Sequence, residues 1–369
     1  MEFSPLSHFL RSVKSGPVDS PSLAEVSLSE AYPSTPKHVL FDSSEVSTPE
    51  TRDMSLNEFC SHVDAPVYHS SPVYTALLDD VLFCPVNNVI TTPDRAVIKE
   101  SAGPGEKTFG VDEEAIAHTD HVERIQGLCT AFRSSFENHY HLLVDHLSRF
   151  DLLNEAHFSR YEEINLLCPG GLRPPERYFV SQLCPSNVNV VALKRGALYR
   201  PEQYLFLSFP TGRTSAYIPG PYIRRLRARA LHDEAPGTRH IYISRRKASH
   251  RHLRNEEALV RRLRSLGFRR HVLEDLPIPK QIRLFQEAEA VVAPHGAGLA
   301  NLLFSTDATV LELQASQNVA PHFYLLCKRM GHDYYYLTHD GSYVDASFST
   351  DPDAIVEHPA LHALDHPST

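Results

Sequence analysis

No run of ~18 consecutive apolar residues occurs in this chain of 369, so no membrane-spanning helix is written in its sequence. The opening stretch, Met1 to Asp19, is interrupted by Pro5, His8, Arg11 and Lys14, where a secretory signal needs an unbroken apolar core. The expectation is therefore a cytoplasmic protein. Six cysteines (Cys60, Cys84, Cys129, Cys168, Cys184, Cys327) form no CxxC pair, which excludes a zinc ribbon or a thioredoxin-type motif and predicts reduced thiols. Nor is the composition skewed: 42% hydrophobic and 22% charged residues argue against both disorder and a fibrous architecture. At ~150 residues per domain the length predicts about two domains, each with a core that needs no disulfide staple.

The net charge of −9 conceals a basic region, because Arg224 to Arg270 carries 15 Arg or Lys against 4 Asp or Glu. A region of that kind suits an anionic partner or a solvated helix face, and charge alone does not choose between them.

Four regions are expected: an irregular, Ser/Thr/Pro-rich extension over 1–64, an acceptor-side α/β domain over 65–232, a nucleotide-binding Rossmann-like domain over 238–340 and a tail over 341–369. Pro66-Val-Tyr-His, Asp80-Val-Leu-Phe-Cys and Asn87 to Pro93 read as strands with a turn. Leu143, Leu147 and Phe150 recur at i, i+4 and i+7 and predict a helix over 136–153, with Asn138, His141 and Asp145 on its other side. Ile164 to Cys168 and Val188 to Ala192 read as strands, with Pro-rich loops around 169–175 and 219–221. The polar segment Asp233-Glu-Ala-Pro-Gly-Thr marks a boundary.

Beyond it the rhythm is β-α-β-α-β-loop-helix-β. Strands are expected at His240–Ser244, Arg270–Glu274, Ala290–Ala293 and Thr309–Leu313, with helices starting at Asn255 and near Lys280 and a C-terminal cap at Gly267. Such alternation implies a parallel sheet with right-handed crossovers. Ligands of open parallel sheets bind at the carboxyl ends of the strands. Ser244, Arg245 and Arg246 follow the first strand, His295, Gly296, Ala297 and Gly298 follow the third, and Glu312 closes the fourth. Two glycines at a strand-to-helix turn expose backbone N–H groups to an anion. Arg245 and Arg251 add bidentate guanidinium donors, and the Glu312 carboxylate can accept both hydroxyls of a ribose. The loop is neither a Walker A sequence nor a full GxGxxG.

Tyr242 to Glu257, Pro279 to Ala288, Val291 to Phe304 and Val310-Leu-Glu312 together resemble glycosyltransferase family 61, and Glu137-Asn-His-Tyr-His-Leu-Leu-Val-Asp145 is similar to its Asn-Tyr-x-His-x-x-x-Asp helix. His139 stands where that helix usually has Tyr, Leu142 where many members have Trp, and the chain has no Trp at all. The resemblance implies a GT-B architecture, two Rossmann-like domains facing across a cleft. It also implies inverting transfer from a nucleotide sugar such as a UDP-sugar to a glycan or lipid-linked acceptor, in surface-polysaccharide synthesis. The donor-binding set is then Ser244, Arg245, Arg251, Asn255, Glu256, His295, Gly296, Ala297, Gly298, Asn301 and Glu312. The base that activates the acceptor is His141, Asp145 or His139. The four-residue spacing of His141 and Asp145 lets the carboxylate orient the imidazole.

No DxD-type acidic pair accompanies the glycine loop, so no metal is expected at the diphosphate and no cofactor is required. The 22 histidines read as ordinary surface residues despite the pairs His118/His121 and His250/His252. Two rival functions remain: a nucleotide-binding oxidoreductase, which lacks its third glycine here, and a nucleic-acid or polyanion binder using the basic stretch. Arg224-Arg-Leu-Arg-Ala-Arg also suits peripheral contact with an anionic membrane.

Overall fold

A computed structural model describes residues 24–41, 45–47, 67–69, 72–104, 111–154, 156–211, 218, 220–231, 237–316, 319–342 and 344–362. The opening stretch Met1 to Asp19, most of the extension, Cys60 and residues 232–236 lie outside them. The described residues form two compact units that divide between His232 and Asp233.

In the first unit the strands are β1 (Glu25–Val26), β2 (Lys37–Phe41), β3 (Glu45–Ser47), β4 (Val67–His69), β5 (Val73–Leu78), β6 (Leu82–Cys84), β7 (Val89–Thr91), β8 (Val97–Ile98), β9 (Val122–Thr130), β10 (Ile164–Pro169), β11 (Val188–Leu193) and β12 (Leu198–Leu207). Ten of them make one mixed sheet in the order β1-β8-β7-β6-β12-β9-β10-β11, with β5 added to β12 and β2 to β5. The strands β12-β9-β10-β11 run parallel, and β10 reads as the near-continuous apolar run that burial on both faces requires. Antiparallel strands β5, β6 and β7 attach beside them; the expected strand pair with a turn is β6–β7, where Phe83 faces Ile90. This unit is therefore a parallel α/β sheet with an antiparallel annex. Part of the stretch expected to be an irregular extension belongs to it, since β1 pairs with β8, β2 pairs with β5, and Leu28 between them is fully buried.

The expected helix over 136–153 runs from His139 to Leu153 but is not one regular helix. A short α turn, His139–His141, leads into a π turn over Leu142–His146, a 3₁₀ turn over Leu147–Arg149 and an α turn over Phe150–Leu153. Leu142 to Arg149 are all buried, so Asp145 does not sit on an open polar side. The loop expected around 219–221 gives way at once to the helix Gly220–Ala230, which buries Tyr222, Ile223 and Leu226 and presents its arginines elsewhere.

Strands β13 (Arg239–Ile243), β14 (Arg269–His271), β15 (Ala288–Pro294), β16 (Thr309–Ala315) and β17 (Asp333–His339) build the second unit in the order β14-β13-β15-β16-β17, all parallel. The helix Glu256–Leu263 begins with two glutamates and ends with Arg261 and Arg262, matching the helix dipole, and buries Leu259, Val260 and Leu263. Gly267 stops the turn that follows in a left-handed conformation, φ 78°, as expected of that cap. Helix Ile278–Gln286 turns Ile282 and Phe285 into the core.

The last strand, β17, was not foreseen, and residues beyond 340 are not a mere tail. Phe348 is 1% exposed and packs with Leu253, Ile355, Val356 and Leu361. Its N–H donates to the His252 carbonyl (3.1 Å) and its carbonyl accepts from Arg254 N–H (2.8 Å), while Arg251 N–H donates to the Asp345 carbonyl (2.8 Å). The chain end thus pins the loop after β13. Phe348→Ala should lower the unfolding free energy of this unit by about 3 kcal/mol in urea titration; a loss below about 1 kcal/mol would mean that the segment only drapes over the surface.

Candidate active site

In the second unit the strand order reverses between β13 and β15, with β14 on one side and β16 and β17 on the other. The crevice outside the carboxyl ends of such a strand pair is where doubly wound sheets bind nucleotides. The segments leaving those ends are Ser244–Arg251 and His295–Gly298, so the topology itself brings the expected donor residues together.

Arg245 lies directly over Gly296. A Cβ on that glycine would fall 1.7 Å from an Arg245 Nη and 2.5 Å from Cζ. Gly296 has φ 173°, extended backbone open to any residue, so the glycine answers to the guanidinium and not to a strained turn. Gly298 is confined in the same way by Leu273, whose Cδ1 would stand 2.7 Å from an added Cβ. From Ala297 the chain enters a helical segment, Ala297–Phe304, whose first N–H groups have no partner within the helix.

Arg245 donates one Nη to the His250 carbonyl (3.1 Å), and its Nε is buried without a hydrogen-bond partner. Arg251 holds φ 60° in a loop fixed by Asp345. Neither arginine makes an ion pair among the described residues. Burial, then the neighbouring Arg251, pushes the Arg245 guanidinium down to about 10, with Glu274 opposing. Burial likewise lowers Arg251, against the attraction of Glu312. Two adjacent, partly desolvated cations without a carboxylate contact constitute a demand for an anion.

Glu312 does not have the place expected of it. It lies inside β16, opposite Ala293, and is fully buried. One oxygen meets His295 Nδ1 at 2.5 Å; the other accepts from the Tyr334 hydroxyl and from Gln314 Nε2 (3.2 Å). No surface is left for a ribose. Asn255, Glu256, Asn301 and Ser244 also serve the scaffold. Asn255 clasps the Thr350 backbone through both side-chain atoms (2.7 and 3.1 Å), and Glu256 accepts from Tyr242 Oη (3.1 Å). Asn301, 1% exposed, donates to the Gly298 carbonyl (3.0 Å), and buried Ser244 accepts from Arg246 N–H (3.3 Å). The residues that meet at the crevice are Arg245, Arg251, His295, Gly296, Ala297 and Gly298.

A second cluster occupies the corresponding place in the first unit, where the strand order reverses between β9 and β12. Buried Arg149 ties the two carboxyl ends, donating to the carbonyls of Arg133 (3.2 Å) and Leu207. Asn138 caps the helical run by accepting from His141 N–H (3.1 Å). His141 Nδ1 meets Asp145 Oδ2 at 2.5 Å, and the other Asp145 oxygen accepts from the Thr211 hydroxyl (2.7 Å). Asp145 is fully buried, whereas His141 keeps 19% of its side chain open and stacks on Phe136. The expected His141–Asp145 contact is present, and only its imidazole can reach a ligand. Behind them His146 is buried, its Nε2 accepting from Ser134 N–H (3.1 Å); burial, followed by the positive charge of its neighbours, drives it well below the usual imidazole range. Thr211 and Tyr334 carry no motif in the sequence, and only the folded sheets bring them to these sites, whereas Gln314 and His146 are close sequence neighbours of Glu312 and Asp145.

An open hollow of about 640 Å³ beside Glu162, Glu163, Asn187 and Asn189 lies at the amino ends of β10 and β11, the edge opposite to His141. Among the described residues no group of three or more His, Cys, Asp or Glu stands ready to hold a metal, and no helix is long and apolar enough to cross a membrane.

Comparison with known proteins finds likenesses over part of the chain. Residues 139–311, from the His139 turn to β16, match the family Glycosyltransferase 61. A further match is to Beta-1,2-xylosyltransferase RCN11 of Oryza sativa subsp. japonica, 40% identical over 65 residues. That alignment covers 17% of this chain and 12% of the rice protein. Gly296→Ala forces the Arg245 guanidinium aside, so it should remove nucleotide-induced thermal stabilisation while leaving the circular dichroism spectrum unchanged; retained stabilisation would show that the two do not share a ligand.

Proposed function

We propose that this chain, whose residues 139–311 match the family Glycosyltransferase 61, transfers a sugar from a nucleotide-sugar donor to a glycan acceptor. The observation that carries the proposal is the pair Arg245 and Arg251, partly withdrawn from water beside the bare backbone of Gly296 with no carboxylate contact. A diphosphate supplies two adjacent anionic groups for such a pair, and guanidinium groups bind phosphate oxygens bidentately. The rice relative is by its name a xylosyltransferase, which makes UDP-xylose one donor to test beside other UDP-sugars.

The finer parts of the proposal are an inverting reaction, a GT-B arrangement of the two units and a role in surface-polysaccharide synthesis at the cytoplasmic side of a membrane. His141 is the base. Its Nδ1–H is held by Asp145, so Nε2 takes the acceptor hydroxyl proton as that oxygen bonds to the anomeric carbon. The bond from the anomeric carbon to the diphosphate breaks on the opposite face, and the charge that develops there falls to Arg245, Arg251 and the N–H groups from Gly296 onward. No metal enters the scheme. Polyanion binding is disfavoured because much of the basic stretch is neutralised locally: Arg225 pairs with Asp151, Arg239 with Glu287, Lys247 with Asp275, Arg262 with Asp353 and Arg270 with Glu257.

A panel of UDP, GDP, CDP and their sugars should yield one nucleoside diphosphate that stabilises the protein, by about 2.7 kcal/mol at a hundredfold excess over Kd. Arg245→Ala should abolish that shift. With the donor identified, His141→Gln should lower turnover by roughly 10²- to 10⁴-fold with little change in donor KM. Donor binding unaffected by Arg245→Ala, or full turnover without His141, would overturn these assignments.

A further inference from the structure

Glu312 is a buried carboxyl group that accepts from the Tyr334 hydroxyl and Gln314 Nε2 and meets His295 Nδ1 at 2.5 Å. Burial, with Glu312 next, holds Tyr334 well above the usual phenol range, so its hydroxyl stays protonated and donates. No arginine or lysine among the described residues touches Glu312, and His295 is the sole group in contact that can become a cation. His295 Nε2 makes no hydrogen bond among the described residues and is not sealed from solvent, so it is the ring's free end.

The charged and titratable groups around this pair come from every element packed on it. Arg245 lies over the adjacent Gly296, and Arg251 feels Glu312. Glu274 faces Arg245 from the segment after β14. His322 stands with its ring centroid 6.4 Å from that of His295, beside Phe323 at 5.3 Å, and the buried Cys327 thiol lies near Glu312. With the crevice unfilled, two guanidinium charges oppose a third cation at His295. An anion that neutralises them removes the opposition and leaves the attraction of Glu312.

We infer that donor binding is coupled to proton uptake: when a nucleoside diphosphate fills the crevice, His295 takes a proton from solvent and donates Nε2–H to it, held in place by Glu312. Glu312 is then a positioning residue that acts through His295, not a ligand of the ribose. The inference rests on the proposed diphosphate site and adds a charge and a direction to it. By linkage, uptake on binding makes affinity fall as pH rises, by up to about tenfold per pH unit. The departing diphosphate, which gains charge as the sugar leaves, meets a third cation and a hydrogen-bond donor beside the two arginines.

The test is isothermal titration of the full chain with UDP, GDP and CDP at pH 8, where the terminal phosphate is already ionised because its last proton leaves at about pH 6. Each titration is run in buffers of low and high ionisation enthalpy. The wild type should show buffer-dependent heat equal to uptake of up to about one proton per nucleotide. His295→Asn and Glu312→Gln should bind more weakly, with buffer-independent heat and an affinity that no longer changes between pH 7 and 9. Tyr334→Phe, which removes one hydrogen bond and keeps the ring, should leave uptake in place and serves if Glu312→Gln does not fold. Binding by the wild type with no buffer dependence, or uptake that persists in His295→Asn, would overturn the inference and leave the diphosphate site standing. Failure of every nucleotide to bind would instead overturn the site, and the inference with it.

Discussion

A guanidinium pressed onto bare backbone is the contact on which the second unit is organised. Arg245 occupies the space that a side chain at Gly296 would need, and burial around it strips water from a group that is costly to desolvate. The surrounding structure holds that arrangement. Ser244 sits buried at the end of β13, Leu273 presses against Gly298, and the segment from Asp345 to Thr350 fixes the loop that carries Arg251. Four separated stretches of sequence thus converge on two cations that make no ion pair among the described residues.

Each unit also holds a carboxylate–histidine pair in which the acid is fully buried and the imidazole is not. Asp145 orients His141 and Glu312 orients His295, both through Nδ1 at 2.5 Å, and each acid is further secured by a hydroxyl, Thr211 in one case and Tyr334 in the other. The geometry is the same and the electrical surroundings differ. Two arginines stand beside His295, whereas His141 stacks on Phe136 and His146, and His146 is kept uncharged by burial. An imidazole held by a carboxyl group and stacked on neighbouring rings is suited to accept a proton from a hydroxyl. One beside cations and facing an anion is suited to donate. The same pair of residue types therefore takes opposite roles in the proposed reaction.

Much of the second unit was legible because its code is local. Alternating apolar runs and amphipathic helices gave β13 to β16 in order, and the i, i+4 spacing of His141 and Asp145 announced a contact that the structure contains. Information carried between strands was not legible. Tyr334 reaches Glu312 because Val310 and Tyr334 are register partners in adjacent strands, which places the tyrosine diagonally across from the acid. Gln314 is a local partner of Glu312, but His295 and Tyr334 come from other segments, so a carboxylate near a strand end reads as a ribose ligand. Asn255 shows the same limit, since its partner Thr350 lies 95 positions away. Phe348, a single aromatic in a polar stretch, gave no periodic signal although it closes the core. The bare backbone at Gly296 is legible in the sequence, but the residue that excludes a side chain there, Arg245, comes from another strand end.

The most direct test is a crystal structure of the full chain soaked with the nucleoside diphosphate that stabilises it most. The account predicts diphosphate oxygens within hydrogen-bond reach of both Arg245 and Arg251, lying over the backbone from Gly296 to Gly298, with His295 Nε2 in contact and Glu312 still buried behind it. Density for the nucleotide elsewhere on the molecule, with both guanidinium groups left without an anion, would contradict it.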